Sequence, residues 1–234
     1  MTDYYFVDQN GAKSCDFHIY FEEYPKIKLG QQKYEKKTVP GRGNVYYETG
    51  TYSDTEIKMT VDVNTVMADI ERMVAYTKAR EFMIGCKTIS FCDAPEYFYK
   101  VKYMDLGSVD QYTDDAGDFD VSVICEPGVF LANGILQYAP NDVLQNPYSV
   151  CHPEYRITGE GICELTVNGQ IMSANVGQNL IINTDLMLAY REDGTLQNTK
   201  VKGDYTDLYL QPGENTISIT EGFELVIVPN WRCL

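Results

Sequence analysis

Residues 164–173 read Glu-Leu-Thr-Val-Asn-Gly-Gln-Ile-Met-Ser. Apolar and polar positions alternate on both sides of Asn168-Gly169. Asn-Gly readily supplies the two left-handed residues of a tight hairpin turn. The segment therefore predicts two antiparallel strands joined by two residues. Moving outward, turn dipeptides recur at strand-length intervals. Asp193-Gly194 separates LMLAYR (186–191) from TLQNTKV (195–201), Pro212-Gly213 precedes ENTISI (214–219), and LVIVPNW (225–231) lies near the end. Strands every 8–12 residues with no helical period predict a β-sandwich or jelly roll over residues 131–234.

The first part of the chain has a different texture. EIKMTVDV (56–63) alternates strictly, with Ile57, Met59, Val61 and Val63 on one side, and predicts a half-buried strand. A helix is expected next, over about 64–80. Asn64 would be its N-cap, and Val66, Met67, Ile70, Met73, Val74 and Thr77 would form its apolar face. CDFHIYFEEY (15–24), TISFC (88–92), YFYKVKYM (97–104) and DFDVSVICE (118–126) read as further strands. Residues 25–44 carry Lys26, Lys28, Lys33, Lys36, Lys37 and Arg42 against the lone acid Glu35, and end in Pro-Gly-Arg-Gly-Asn. So long a connection predicts a projecting arm. Between two strand-like runs, Asp105, Asp110, Asp114, Asp115, Asp118 and Asp120 form an acidic stretch with no basic residue, expected to be a loop. The fold class read from these patterns is mainly β with one helix: a first β domain over 1–130 and an all-β second domain over 131–234.

Composition narrows the function. The chain has 234 residues, 19 basic against 34 acidic, and a net charge of −15. Gripping nucleic acid by its phosphates needs the opposite sign, so the composition argues against nonspecific DNA or RNA binding. No apolar run approaches about 18 residues and the start lacks a signal-peptide pattern, so a cytoplasmic synthesis with no membrane segment is expected. The 19 tyrosines against 9 phenylalanines point to strands and contact surfaces.

No motif calls for a cofactor or metal. The seven cysteines form no C-x-x-C and read as small buried hydrophobes. His18 reads as a structural residue within a strand. His152 follows Cys151 directly, and neighbours in an extended segment point to opposite faces, so the two form no nucleophile pair. The acidic stretch fails the EF-hand pattern, leaving only a looser calcium site as an alternative to a solvated loop or a face that repels DNA. Nothing selects a glycosidase carboxylate pair. A carbohydrate-binding role for the second domain would need exposed aromatics, with Tyr138, Tyr148, Tyr155, Tyr190, Tyr205 and Tyr209 as candidates.

Several segments together resemble the distal tail protein (Dit) family of phages with long non-contractile tails. They are FHIYF (17–21), the arm ending PGRGN (40–44), YYETGTYSDTEIKMTVDV (46–63), NPYSVCHPEYRITGEGICELTVNGQ (146–170), VKGDYTDLYLQPGENTISI (201–219) and IVPNWRCL (227–234). The resemblance spans nearly the whole chain. Tyr205 stands where the family often has Phe, and Asn230 where Arg is frequent. The resemblance implies a structural virion protein with no catalytic, cofactor or metal residues. Its N-terminal domain, barrel-like with one helix, would form a homo-hexameric ring through which DNA passes. The ring would join the tail tube protein to the tail-associated hub or lysin-type protein. The C-terminal domain would be a galectin-like or jelly-roll sandwich that docks receptor-binding or baseplate proteins. The basic arm residues are then expected at an interface, and the acidic stretch facing the channel.

Overall fold

The computed structural model describes residues 4–21, 23–64, 71–108, 110–111, 116–139 and 143–234. The chain divides into two compact units, Met1–Val129 and Phe130–Cys233. The protein is mainly β with a single α-helix among the described residues.

The first unit holds β1 Phe6–Val7, β2 Ile19–Phe21, β3 Lys26–Lys28, β4 Gln32–Val39, β5 Gly43–Tyr52, β6 Thr55–Asn64, α1 Arg72–Gly85, β7 Thr88–Phe91, β8 Tyr97–Leu106, β9 Asp110–Gln111 and β10 Ala116–Cys125. Its main sheet runs β1-β7-β8-β10-β6-β2, with β3 beside β6 and β9 beside β10; β4 and β5 form a separate two-stranded sheet. The path is open, because β1 and β2 do not pair.

β6 follows the alternation read from its sequence. Ile57, Met59, Val61 and Val63 are buried, and Val121, Val123 and Cys125 of β10 bury beside them. Ala75, Ala79 and Met83 of α1 pack on this apolar side, with Tyr76 and Phe82 partly buried. Phe82 stacks on Phe17 at 4.1 Å and on Phe6 at 5.6 Å.

The helix corrects the sequence reading. Asn64 is not the N-cap of α1, a position that Glu71 takes. Asn64 is the last residue of β6, paired with Ala116, and its N–H donates to the His18 carbonyl. A cap signal is local, and here the ladder on both sides outweighs it. The helix spans Arg72–Gly85 rather than ending near Arg80. Its buried side is Ala75, Ala79 and Met83, whereas Met73 and Val74 are exposed. Small residues let the helix backbone approach the sheet, and a hydrophobicity pattern undervalues them. Val66, Met67 and Ile70 lie outside the described residues. His18 also departs from expectation. It follows a short 3₁₀ turn, Ser14–Phe17, and adopts φ 63°, so the strand begins only at Ile19.

β11 Val129–Leu131 begins at the last residue of the first unit, and the second unit holds β12 Leu144–Asn146, β13 Glu154–Val167, β14 Gln170–Asn183, β15 Leu188–Tyr190, β16 Val201–Lys202, β17 Gly213–Asn215, β18 Ile217–Ile219, β19 Glu224–Val228 and β20 Arg232–Cys233. The Asn168-Gly169 hairpin sits at its centre. β13 and β14 pair along their full lengths, from Glu154↔Asn183 to Val167↔Gln170. Asn168 and Gly169 both take positive φ, 50° and 82°, as a type I′ turn requires. β15 and β16 flank β14, β18 and β19 flank β13, and β12 pairs with β17. Tyr155, Ile157, Cys163, Leu165 and Val167 of β13 face a core shared with Met172, Ala174, Val176, Leu180 and Ile182 of β14.

Candidate functional site

Residues of a strand alternate faces, so the buried side of β6 and β10 leaves a second, outward side. Carboxylates cluster on that side, with Lys58 and the neighbouring Lys26 and Lys28 of β3 towards one edge. Asp118 lies opposite Asp62, Asp120 opposite Thr60, and Asp105 of β8 opposite Ser122. The Thr60 hydroxyl donates to Asp120 Oδ1 at 2.8 Å. Asp62 Oδ1 is buried and accepts no hydrogen bond. A groove of about 430 Å³ runs along this face, between Glu23, Tyr24, Lys26, Lys58, Asp105 and Asp120. Among the described residues no group of His, Cys, Asp and Glu is arranged to hold a metal ion.

The structure thus brings Asp105, Asp118 and Asp120 onto one surface, as strand residues and not as a loop. Asp110 belongs to β9, opposite Asp118. Asp114 and Asp115 lie outside the described residues. Asp62 was missed by the sequence reading. The available signal was the strict alternation of residues 56–63, which puts every even-numbered residue on the outward side.

The basic arm is displaced along the chain relative to its sequence reading. Lys26 and Lys28 are not part of it. They lie in β3, opposite Lys58 and Glu56 of β6. The arm is the β4–β5 hairpin, so it extends to Tyr52, beyond the expected limit at residue 44. Lys33, Lys36 and Lys37 lie on β4, and Arg42 at the tip donates its N–H to the Val39 carbonyl. Gly41 and Gly43 supply the positive φ of the tip. Among the described residues, none of Lys33, Lys36, Lys37 and Arg42 forms an ion pair. The root is tightly held. Gln31 N–H donates to Ser53 Oγ at 2.9 Å, Ser53 N–H to the Gln31 carbonyl at 2.9 Å, and Gly30 N–H to the buried Thr55 hydroxyl at 3.1 Å. A Cβ at residue 30 would run into the Ser53 carbonyl oxygen.

Tyrosines divide unevenly. Tyr24, Tyr34, Tyr46, Tyr47, Tyr97 and Tyr103 are exposed, all in the first unit. None of the second-unit candidates for sugar binding is exposed. Tyr155 is fully buried with its hydroxyl donating to the Leu208 carbonyl, and Tyr138, Tyr148 and Tyr205 pack against the core. Tyr190 donates to Glu154, and Tyr209 stacks on His152 at 4.1 Å.

His152 is positioned for structure. Its Nδ1 lies 2.8 Å from Asp185 Oδ1, and its Nε2 2.9 Å from Arg232 Nη2. Arg can only donate, so Nε2 accepts and Nδ1 carries the proton. Cys151 points the other way, buried, with its thiol donating to the Ser149 carbonyl. Burial pushes the Cys86 and Cys125 thiols up to about 12. A thiol so raised is no nucleophile near neutral pH.

The segments singled out in the second unit prove to be framework. Asn146 Nδ2 donates to the Ser149 and Leu210 carbonyls, and its Oδ1 accepts from Tyr148 N–H. Asn215 Nδ2 donates to the Gln211 and Gly213 carbonyls, while its Oδ1 accepts from Gln211 N–H and from Asn168 Nδ2, each at 2.8 Å. Asp204 caps the 3₁₀ turn Tyr205–Leu208 by accepting from Thr206 N–H. Asn230, at φ 53°, donates its side-chain amide to the His152 carbonyl.

No protein-family model matches the chain, and no curated protein matches it. Solved structures do. The SPP1 Dit (gp 19.1) protein, described as a paradigm of the hub adsorption apparatus in phages infecting Gram-positive bacteria, matches with a TM-score of 0.64 at 14% identity, over 96% of this chain and 97% of that one. Chains of the phage p2 baseplate in its activated conformation, with Sr and with Ca, match over the same shares at TM-scores of 0.47 and 0.48 and identities of 10% and 11%. Over 96% of the chain, its fold is that of a phage distal tail (Dit) protein.

Proposed function

We propose that the chain is a structural component of a phage tail tip. Copies of its first unit form a closed homo-hexameric ring between the tail tube protein and the hub or lysin-type protein below, and DNA passes through the ring without being bound. The second unit offers a platform for receptor-binding or baseplate proteins. The role is non-catalytic, needs no cofactor, and belongs to the virion.

The observation that carries the reading is the separation of charge in the first unit. Carboxylates from β6, β8 and β10 gather on one sheet face, whose lysines, Lys26, Lys28 and Lys58, lie towards its β3 side, whereas Lys33, Lys36, Lys37 and Arg42 stand on a separate hairpin. A sheet face carrying Asp62, Asp105, Asp118 and Asp120 repels phosphate, as a DNA-sized passage must. A ring needs heterologous contacts, in which one part of a copy reaches a different part of the next, and a projecting arm supplies them. The Dit fold agrees with this reading.

Light scattering and negative-stain imaging of the same material test it. The expected mass is near six protomers, with open rings. A chain that stays monomeric at high concentration, and also in the presence of its tail tube protein, overturns the reading.

A further inference from the structure

The arm carries more than charge. Antiparallel sheets in water usually keep one polar face, and an isolated two-stranded hairpin is marginal at best. The register of β4 and β5 gives this hairpin two similar faces. Tyr34, Lys36, Tyr46 and Glu48 share one, because Tyr34 pairs with Glu48 and Lys36 with Tyr46. Glu35, Lys37, Val45 and Tyr47 share the other, because Glu35 pairs with Tyr47 and Lys37 with Val45. Each face carries aromatic area and at least one lysine. Tyr34 is 55% exposed, Tyr46 60% and Tyr47 50%. Neither face is covered by its own chain, and β4 and β5 pair only with each other.

We infer that the arm is a two-sided contact: on assembly both of its faces are covered by a second copy of this chain, so that the hairpin is inserted rather than laid on a surface. This rests on the ring reading. The occupant is argued from charge. Lys33, Lys36, Lys37 and Arg42 outnumber Glu35 and Glu48 on the arm, while the whole chain carries −15. The surface available on another copy is therefore complementary. Tyr and Lys suit such a site, since each buries an apolar body while its polar end stays near water or an acidic partner. One-sided docking would leave aromatic side chains of one face in water, with no reason to be there.

Hydroxyl-radical footprinting of the unmodified chain tests the inference, comparing dilute monomer with assembled protein. Tyr34 and Tyr46 report one face and Tyr47 the other. All are expected to lose reactivity severalfold on assembly. Protection of Tyr34 and Tyr46 with Tyr47 unchanged, or the reverse, overturns the two-sided contact while leaving the ring intact. Protein that assembles with every arm tyrosine unchanged also overturns it. Failure to assemble at all overturns the ring reading and this inference together. As a second arm, Tyr34→Ser/Tyr46→Ser and Val45→Ser/Tyr47→Ser are each expected to weaken assembly at least tenfold. One of them assembling like the parent counts against the inference.

Discussion

Asn215 shows how a single side chain organises the second unit. It is buried, and its amide spans the chain from Asn168 to Gln211. Replacing it with Ala leaves buried donors and acceptors without partners, each costing about 1–3 kcal/mol. We expect Asn215→Ala to destabilise the protein by about 3 kcal/mol, read as a lower urea midpoint with an unchanged slope. Asp62 works in the opposite direction. It faces Asp118 across the ladder, and like charges directly opposite are unfavourable. Asp62→Asn is expected to raise stability by about 0.5 kcal/mol, and a drop in melting temperature would show that its carboxylate is satisfied. The buried thiols give a pH signature. Cys86 and Cys125 keep their protons up to about 12, against an ordinary value of 9.0. Between those values the unfolded chain releases protons that the folded chain retains, so unfolding becomes easier as pH rises. Stability should be level in this respect below pH 9 and fall towards pH 12, with a shallower fall in a Cys86→Ala/Cys125→Ala variant.

At the scale of elements, α1 is the sharpest test of what the structure adds. Its sequence points to Met73 and Val74 as core, but Ala75 and Ala79 face the sheet. Val74→Ser should therefore change stability by less than about 0.5 kcal/mol. Ala79→Leu, which keeps helix propensity, should cost about 1–3 kcal/mol by overpacking. Thermal unfolding of both variants decides between the two faces. The contrast also explains which elements were legible. β6, β13 and β14 alternate with period two, and β13 and β14 meet at the Asn168-Gly169 turn, so local pattern and tertiary environment agree. α1 lies against the sheet through alanines, whose burial no hydrophobicity pattern emphasises. The outward carboxylates were half-legible. Asp105, Asp118 and Asp120 drew notice as a charge run, but run-reading treats neighbours in sequence as neighbours in space. Asp62 joins them only through the β6–β10 register, a long-range fact. The arm was recognisable from its charge, yet its boundary was not, because YYETGTY (46–52) reads equally well as a strand of the main sheet.

For the whole molecule, the contrast between the units is the main guide. The first unit exposes tyrosines and gathers charge on separate surfaces; the second hides its tyrosines and fixes its loops with Asn and Asp side chains. Association should therefore run through the first unit. Removing residues 32–52 with a short Gly-Ser bridge is expected to abolish rings while leaving the melting temperature within a few degrees, because β4 and β5 lie outside the main sheet. Rings that persist without the arm would assign closure to another surface.

The alternation of β6 has one more consequence. In ten residues the same strand carries a hydrocarbon side and an electrostatic side, interleaved position by position. Odd-numbered positions answer to packing and even-numbered ones to charge. A mutation at Lys58, Thr60 or Asp62 can retune the potential of that surface without disturbing Ile57, Met59, Val61 or Val63. The two properties are thus inherited on separate letters of one short text. The charge on that face can therefore change by substitution while the scaffold beneath it stays fixed.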